Sequence, residues 1–146
     1  MKIAIACDHG GLRLKKLIFD DLIALGYEVK DFGTHDEESC DYPDFAGAAA
    51  KAVASGECDR GIVICGTGIG VSITANKVKG IRCALVHDTF SARATREHND
   101  SNMIAMGQRV IGDGLALDII HTWLATDYEG GRHDIRIKKM MAYEEE

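Results

Sequence analysis

Gly61-Ile62-Val63-Ile64-Cys65-Gly66-Thr67-Gly68-Ile69-Gly70 is the stretch that decides the fold class. Its first half is a short apolar, β-branched run of the kind buried inside a parallel sheet. Its second half sets Gly66, Gly68 and Gly70 at alternate positions and leads into a helical segment through Asn76. A strand, a glycine turn and a helix in that order make half of a βαβ unit. The alternation recurs on both sides. Lys2 to Cys7 reads as a strand, Asp8-His9-Gly10-Gly11 as a turn, and Leu12 to Leu25 as a helix with Leu14, Leu17, Ile18, Leu22 and Leu25 on one face. Gly26 can close that helix in the left-handed conformation. Glu28 to Phe32 is a second strand, and an Ala-rich helix runs from about Phe45 to Ser55. Arg82 to Val86 and Met103 to Met106 are strands, with helices from about Ser91 to His98, Gly114 to Ala125 and Asp134 to Glu144. The expected fold is α/β, a three-layer α/β/α sandwich on five parallel strands.

Length and composition bound the rest. A chain of 146 residues suits a single domain over residues 1–146, with enough surface to bury for a core of its own. Its 46% hydrophobic and 27% charged content excludes a disordered chain. A net charge of −6 argues against a general nucleic-acid or anionic-membrane binder, though not against a pocket of opposite sign. No apolar run is long enough to span a membrane or to serve as a signal peptide. The cysteines at 7, 40, 58, 65 and 83 form no C-x-x-C pair and no zinc spacing, which suits a reducing, cytoplasmic setting.

Ligands of open α/β sheets bind at the carboxyl ends of the strands. Polar residues concentrate there: Cys7-Asp8-His9, Cys65 to Gly70, His87-Asp88, and Gly107-Gln108-Arg109, with His98-Asn99-Asp100 just before the last strand. The glycine loop can aim successive N–H groups at an anion, or it can be a tight turn and nothing more. It is neither a dinucleotide fingerprint, since Val71 stands where a third spaced glycine is needed, nor a P-loop. Cys65 is either a buried strand residue or a base served by the loop N–H groups. Arg132 and Arg136, four apart, form either a solvated basic face or a phosphate grip, with Arg109 as a possible third cation. His98 is an acid/base candidate or a helix-end cation. His9 either contacts a ligand or makes a turn hydrogen bond. Asp31 could mimic a ribose-binding acid, but the glycine fingerprint for that is missing. Residues 33–43 are a solvated acidic loop or the border of a site. His35, His87, His121 and His133 have no context that singles them out.

Asp8-His9-Gly10-Gly11, Cys65 to Gly70, Ala75-Asn76-Lys77, Arg82 and His98-Asn99-Asp100-Ser101-Asn102 occur together in this order. In this the chain resembles the sugar-phosphate isomerase family of ribose-5-phosphate isomerase B and the galactose-6-phosphate isomerase subunits, over essentially its whole length. The resemblance implies a Rossmann-like sandwich and conversion of ribose 5-phosphate to ribulose 5-phosphate without metal or organic cofactor. It implies a homodimer, or a dimer of dimers, with sites shared between subunits and the C-terminal helix packed on a partner. Cys65 then resembles the base that moves a proton between C2 and C1, and His98 the acid that opens the furanose ring. Asp8, His9, Gly66, Gly68, Ile69, Gly70 and Asn99 resemble substrate contacts, and Arg109, Arg132 and Arg136 the phosphate ligands. Thr67 and the loop N–H groups suit stabilisation of a cis-enediolate, the anion that aldose–ketose exchange creates. One branch of the family carries a glutamate after the loop; Val71 stands there, so the chain follows the cysteine branch. Val71 and Thr74 depart mildly from the family pattern, away from the chemistry. The same machinery could serve allose 6-phosphate, galactose 6-phosphate or a free aldose. A phosphate- or nucleotide-binding module without catalysis is the alternative of a different class.

Overall fold

The computed structural model describes residues 1–146. In chain order the elements are β1 Lys2–Cys7, a one-turn 3-10 helix at His9–Gly11, α1 Leu12–Ala24, β2 Glu28–Asp31, α2 Tyr42–Ala54 and β3 Arg60–Cys65. There follow α3 Ile69–Asn76, β4 Cys83–Leu85, α4 Thr89–Asn99, β5 Met103–Gly107, α5 Asp113–Ala125, α6 Arg132–Ala142 and a terminal 3-10 turn at Tyr143–Glu145. All five strands are parallel, in the order β2-β1-β3-β5-β4. The fold is therefore the expected α/β sandwich. No helix is long and apolar enough to cross a membrane.

Period-two alternation along the strands splits the core into two halves. Ile3, Ile5, Ile62, Ile64, Ile104 and Met106 point to one face, where Leu14, Ile18 and Leu22 of α1 and Ile119 and Trp123 of α5 cover them. Ala4, Ala6, Val63, Cys65, Met103 and Ala105 point to the other, under α2 and α3. Small residues dominate the second face on both sides: Ala46, Ala49 and Ala50 of α2 meet Ala4 and Ala6. Without bulky side chains between them, helix and sheet approach closely. Strand β5 is fully buried and lies between β3 and β4, whereas the three-residue β4 is a partly exposed edge. Every buried side-chain nitrogen and oxygen has a hydrogen-bond partner, as a dry interior demands.

Several boundaries differ from those read from the sequence. Helix α2 begins at Tyr42 rather than Phe45, with Pro43 in its first turn, where a missing N–H costs nothing. Helix α6 spans Arg132–Ala142 rather than about 134–144, so both of its arginines are helical. Helix α4 extends to Thr89–Asn99, with the Asp88 side chain accepting the Ser91 N–H at its start. The turn after β1 is the short 3-10 helix, capped by Asp8. Gly26 takes φ +89, closing α1 as expected. Asp31 is engaged with the buried Lys15, whose Nζ donates to Asp31 Oδ1 at 2.8 Å. The Gly33 N–H donates to the same oxygen at 2.8 Å, so this carboxylate ties α1 and the turn after β2 together.

Candidate active site

The strand order reverses between β1 and β3, since β2 lies outside one and β5 outside the other. A crevice opens at the carboxyl ends at such a switch point. Asp8 and His9 follow β1, and Cys65 ends β3, with Cys7 and Ile64 paired in register beneath them. The cleft here is lined by Asp8, His9, Cys65, Gly66, Thr67, Ile69, Gly70 and Arg109, together with Tyr42.

Each of these groups is held by identifiable contacts. The Gly68 N–H donates to Cys65 Sγ at 3.1 Å, directly before the first turn of α3. Gly68 adopts φ +78, and a Cβ there would lie 2.6 Å from Leu85 and 2.7 Å from the Met106 backbone, so only glycine fits. The Thr67 hydroxyl accepts the Ile69 N–H at 3.2 Å and lies 4.0 Å from Cys65 Sγ. Arg109 is fixed by its N–H bond to the Gly66 carbonyl, 3.0 Å, and its side chain lies over Gly66. Asp8 Oδ1 accepts the Gly10 N–H at 2.9 Å, so this carboxylate caps the turn and also lines the cleft. His9 Nδ1 accepts the Cys40 N–H at 3.2 Å. That contact assigns the ring proton to Nε2. The acidic loop thus borders the site through Cys40 and Tyr42.

The other cysteines differ in their surroundings. Burial pushes the Cys7 thiol up to about 12 and raises Cys58 and Cys83 as well. These three remain protonated at neutral pH, and all five cysteines are free.

The remaining expected residues lie in a second cleft. His98, Asn99, Arg132 and Arg136 line it, with His133. The clefts measure about 510 and 460 Å³, a scale that suits small molecules. Within one chain, then, the structure gathers Cys65, Thr67, Asp8, His9 and Arg109 at one place and His98, Asn99, Arg132 and Arg136 at another. A larger hollow lies between α3, β4 and α6, walled by Met140, Met141 and Tyr143, and includes none of the strand-end residues after β1 or β3.

Around the second cleft, α4 is capped by Asp100, which takes φ 45. Arg96 Nη1 donates to Asp100 Oδ1 at 2.9 Å, and Arg82 Nη2 to the Asp100 carbonyl at 2.8 Å. The Trp123 indole N–H donates to Ser101 Oγ at 2.9 Å, and Asn102 Oδ1 accepts the Arg82 N–H at 2.8 Å. The run from His98 to Asn102 therefore combines two cleft residues with three anchors. Donor atoms of His98, Glu129 and His133 come within 4.8 Å of one another, close enough to share a metal ion. Arg132 and Arg136 line the same cleft and oppose a cation there, so the local charge favours an anion.

Sequence reasoning missed three contributors. Tyr42 packs on Gly70, where a Cβ would meet its ring at 2.7 Å. His87 Nε2 accepts the Gly107 N–H at 2.9 Å. His133 stacks on His98. None carries a local signal, because each acts on a residue distant in sequence.

Comparison with known proteins finds matches over nearly the whole chain. A family profile described as Ribose/Galactose Isomerase matches residues 3–140. Ribose-5-phosphate isomerase B of Escherichia coli (strain K12) is 49% identical, with 99% of this chain and 97% of the relative aligned. The structure of Clostridium thermocellum ribose-5-phosphate isomerase B superposes with a TM-score of 0.98 at 59% identity, covering 99% of this chain and 98% of that one. That of the Mycoplasma genitalium enzyme with bound ribulose-5-phosphate gives 0.96 at 41% identity, covering 99% and 97%.

Proposed function

Since the chain belongs to the ribose/galactose isomerase family, we propose that it interconverts ribose 5-phosphate and ribulose 5-phosphate through a cis-enediolate. The observation that carries this reading is Cys65 Sγ at the switch point, accepting the Gly68 N–H at 3.1 Å beside the glycine loop. His98 donates a proton to the ring oxygen as the C1–O bond to it breaks, while the C1 hydroxyl loses its proton. The Cys65 thiolate then removes the C2 proton, and the electron pair moves into a C1–C2 double bond with negative charge on oxygen. Loop N–H groups and Thr67 stabilise that charge. Return of the proton to C1 and movement of a proton from the O2 hydroxyl to O1 complete the ketose. No external oxidant is involved, because C2 is oxidised as C1 is reduced. General-base help of this kind contributes about 10²–10⁴-fold. Arg109, Arg132, Arg136 and His9 grip the phosphate, and that remote binding positions C1 and C2.

The two clefts of one chain each hold half of this machinery. A homodimer, or a dimer of dimers, in which His98, Asn99, Arg132 and Arg136 face Cys65 of the partner subunit would complete both. Ile69 and Ile73, which line the Cys65 cleft and are 51% and 55% accessible, support a covered face there. The free thiols support a reducing, cytoplasmic setting.

The test is proton exchange. Ribose 5-phosphate incubated with the protein in D₂O forms deuterated ribulose 5-phosphate, followed by NMR, and Cys65→Ala abolishes it. Wild-type protein that leaves the sugar untouched, or a Cys65→Ala variant at full rate, overturns the reading. Comparing kcat/KM for ribose, allose and galactose phosphates identifies the preferred sugar.

A further inference from the structure

The imidazoles of His98 and His133 lie with ring centroids 4.6 Å apart and planes 20° from parallel. His98 reaches the cleft from the last turn of α4, while His133 is 6% exposed and sits under it at the start of α6. His133 is itself tethered, with Nε2 3.3 Å from Glu129 Oε2. The backbone carrying Glu129 is pinned to α4 in turn. The Glu129 N–H donates to the carbonyl of Glu97, the residue before His98, at 3.2 Å. Arg96 Nε donates to the Thr126 carbonyl at 3.2 Å. The segment from Thr126 to His133 is thus fastened to the same helical turn that presents His98, and its buried imidazole forms a flat floor beneath the His98 ring.

We propose that His133 is a positioning residue for the ring-opening step, with Glu129 as its tether; this rests on the reading of His98 as the acid. A general acid must come within about 2.6–3.2 Å of the atom that it protonates. A histidine at a partly exposed helix end has several accessible rotamers, and most aim its nitrogens elsewhere. Stacking on a fixed ring removes most of them. A misplacement of about 1 Å can cost on the order of 10²-fold in rate, so the floor matters through the ring that it holds. Cys65 chemistry does not depend on it.

This separation supplies the test. Ribose 5-phosphate must open its ring before it reacts. Ribulose 5-phosphate has its 5-oxygen esterified and forms no furanose, so solvent deuterium wash-in at its C1 reports the Cys65 step alone. His133→Ala should lower kcat/KM for ribose 5-phosphate by about tenfold or more, with wash-in kept within about twofold. His133→Phe keeps a flat face and should recover most of the loss. Glu129→Gln changes an exposed residue and should give a smaller loss of the same selective kind, which keeps the test open if His133→Ala fails to fold. Equal losses in both assays, no loss in either, or a His133→Phe as poor as His133→Ala each overturn the proposal. His98→Ala is the control: a selective loss there upholds the acid assignment, and equal losses in both assays overturn that assignment and the present proposal with it. Wild-type protein inactive on ribose 5-phosphate would instead strike the functional reading itself.

Discussion

A methyl group on Gly107 would sit 2.6 Å from the carbonyl carbon of Thr67, closer than packed atoms approach. Gly107 is paired in register with Cys65, so the clash falls on the loop that serves the sulfur. Gly107→Ala should cost about 1–3 kcal/mol of stability through overpacking. It should also lower isomerase activity, because the loop has to shift. A melting temperature and kcat/KM matching wild type would count against this tight fit. The same glycine offers its N–H to His87 Nε2. Burial holds the His87 imidazole below its ordinary value of 6.5, so the folded protein resists protonation that the unfolded chain accepts. The sign follows: this residue's contribution is present above pH about 6.5 and declines as the pH falls through that value. Urea melts at a series of pH values should show it, and His87→Gln, whose amide oxygen can accept the same N–H, should flatten the slope. An unchanged slope would remove His87 from the account.

Helix α6 shows what its residues dictate and what they leave open. Arg132 opens it and Arg136 follows one turn later, so both guanidinium groups share a face at the cleft. A charge-assisted hydrogen bond contributes about 1.5–3 kcal/mol, or roughly 10–100-fold in affinity. Arg136→Gln should raise KM for ribose 5-phosphate on that scale and weaken competitive inhibition by inorganic phosphate in parallel. Inhibition by phosphate at wild-type strength would take Arg136 out of the grip. The spacing of the arginines was readable because helical periodicity is local. So were the strands, whose residues alternate between two covered faces, as Ile3 and Ile5 do against Ala4 and Ala6. Less readable were element starts such as Tyr42, where a proline two residues from an acidic loop looks like a break and is a first turn. The insertion of β5 between β3 and β4 was not legible at all. It rests on ladders that pair Met103 with both Gly61 and Cys83, partners that no window of sequence brings together. The His98–His133 stack escaped for the same reason, since thirty-odd residues separate two rings that meet only after α4 and α6 have docked.

Across the whole molecule, the chain places Cys65 and His98, the proposed base and acid, in different clefts and carries a cationic cleft on a chain of net charge −6. The proposed two-fold assembly would reconcile the separation, because an isologous contact creates two equivalent composite sites. The arithmetic of mixed assemblies makes this testable. Cys65→Ala has no base in either site, and His98→Ala has no acid. A dimer containing one copy of each has one site lacking both groups and one site with Cys65 and His98 intact. Random pairing of equal amounts gives about half mixed dimers, so activity should recover to about a quarter of the wild-type level per site. Co-expressing the two variants with different tags and purifying through both isolates the mixed dimer, which should work at about half the wild-type rate. If each active site is built within one chain, no pairing restores anything, because every site lacks either its base or its acid. Recovery in the doubly tagged fraction, absent when the separately purified variants are mixed without subunit exchange, would establish that the reaction belongs to the pair of chains rather than to either one.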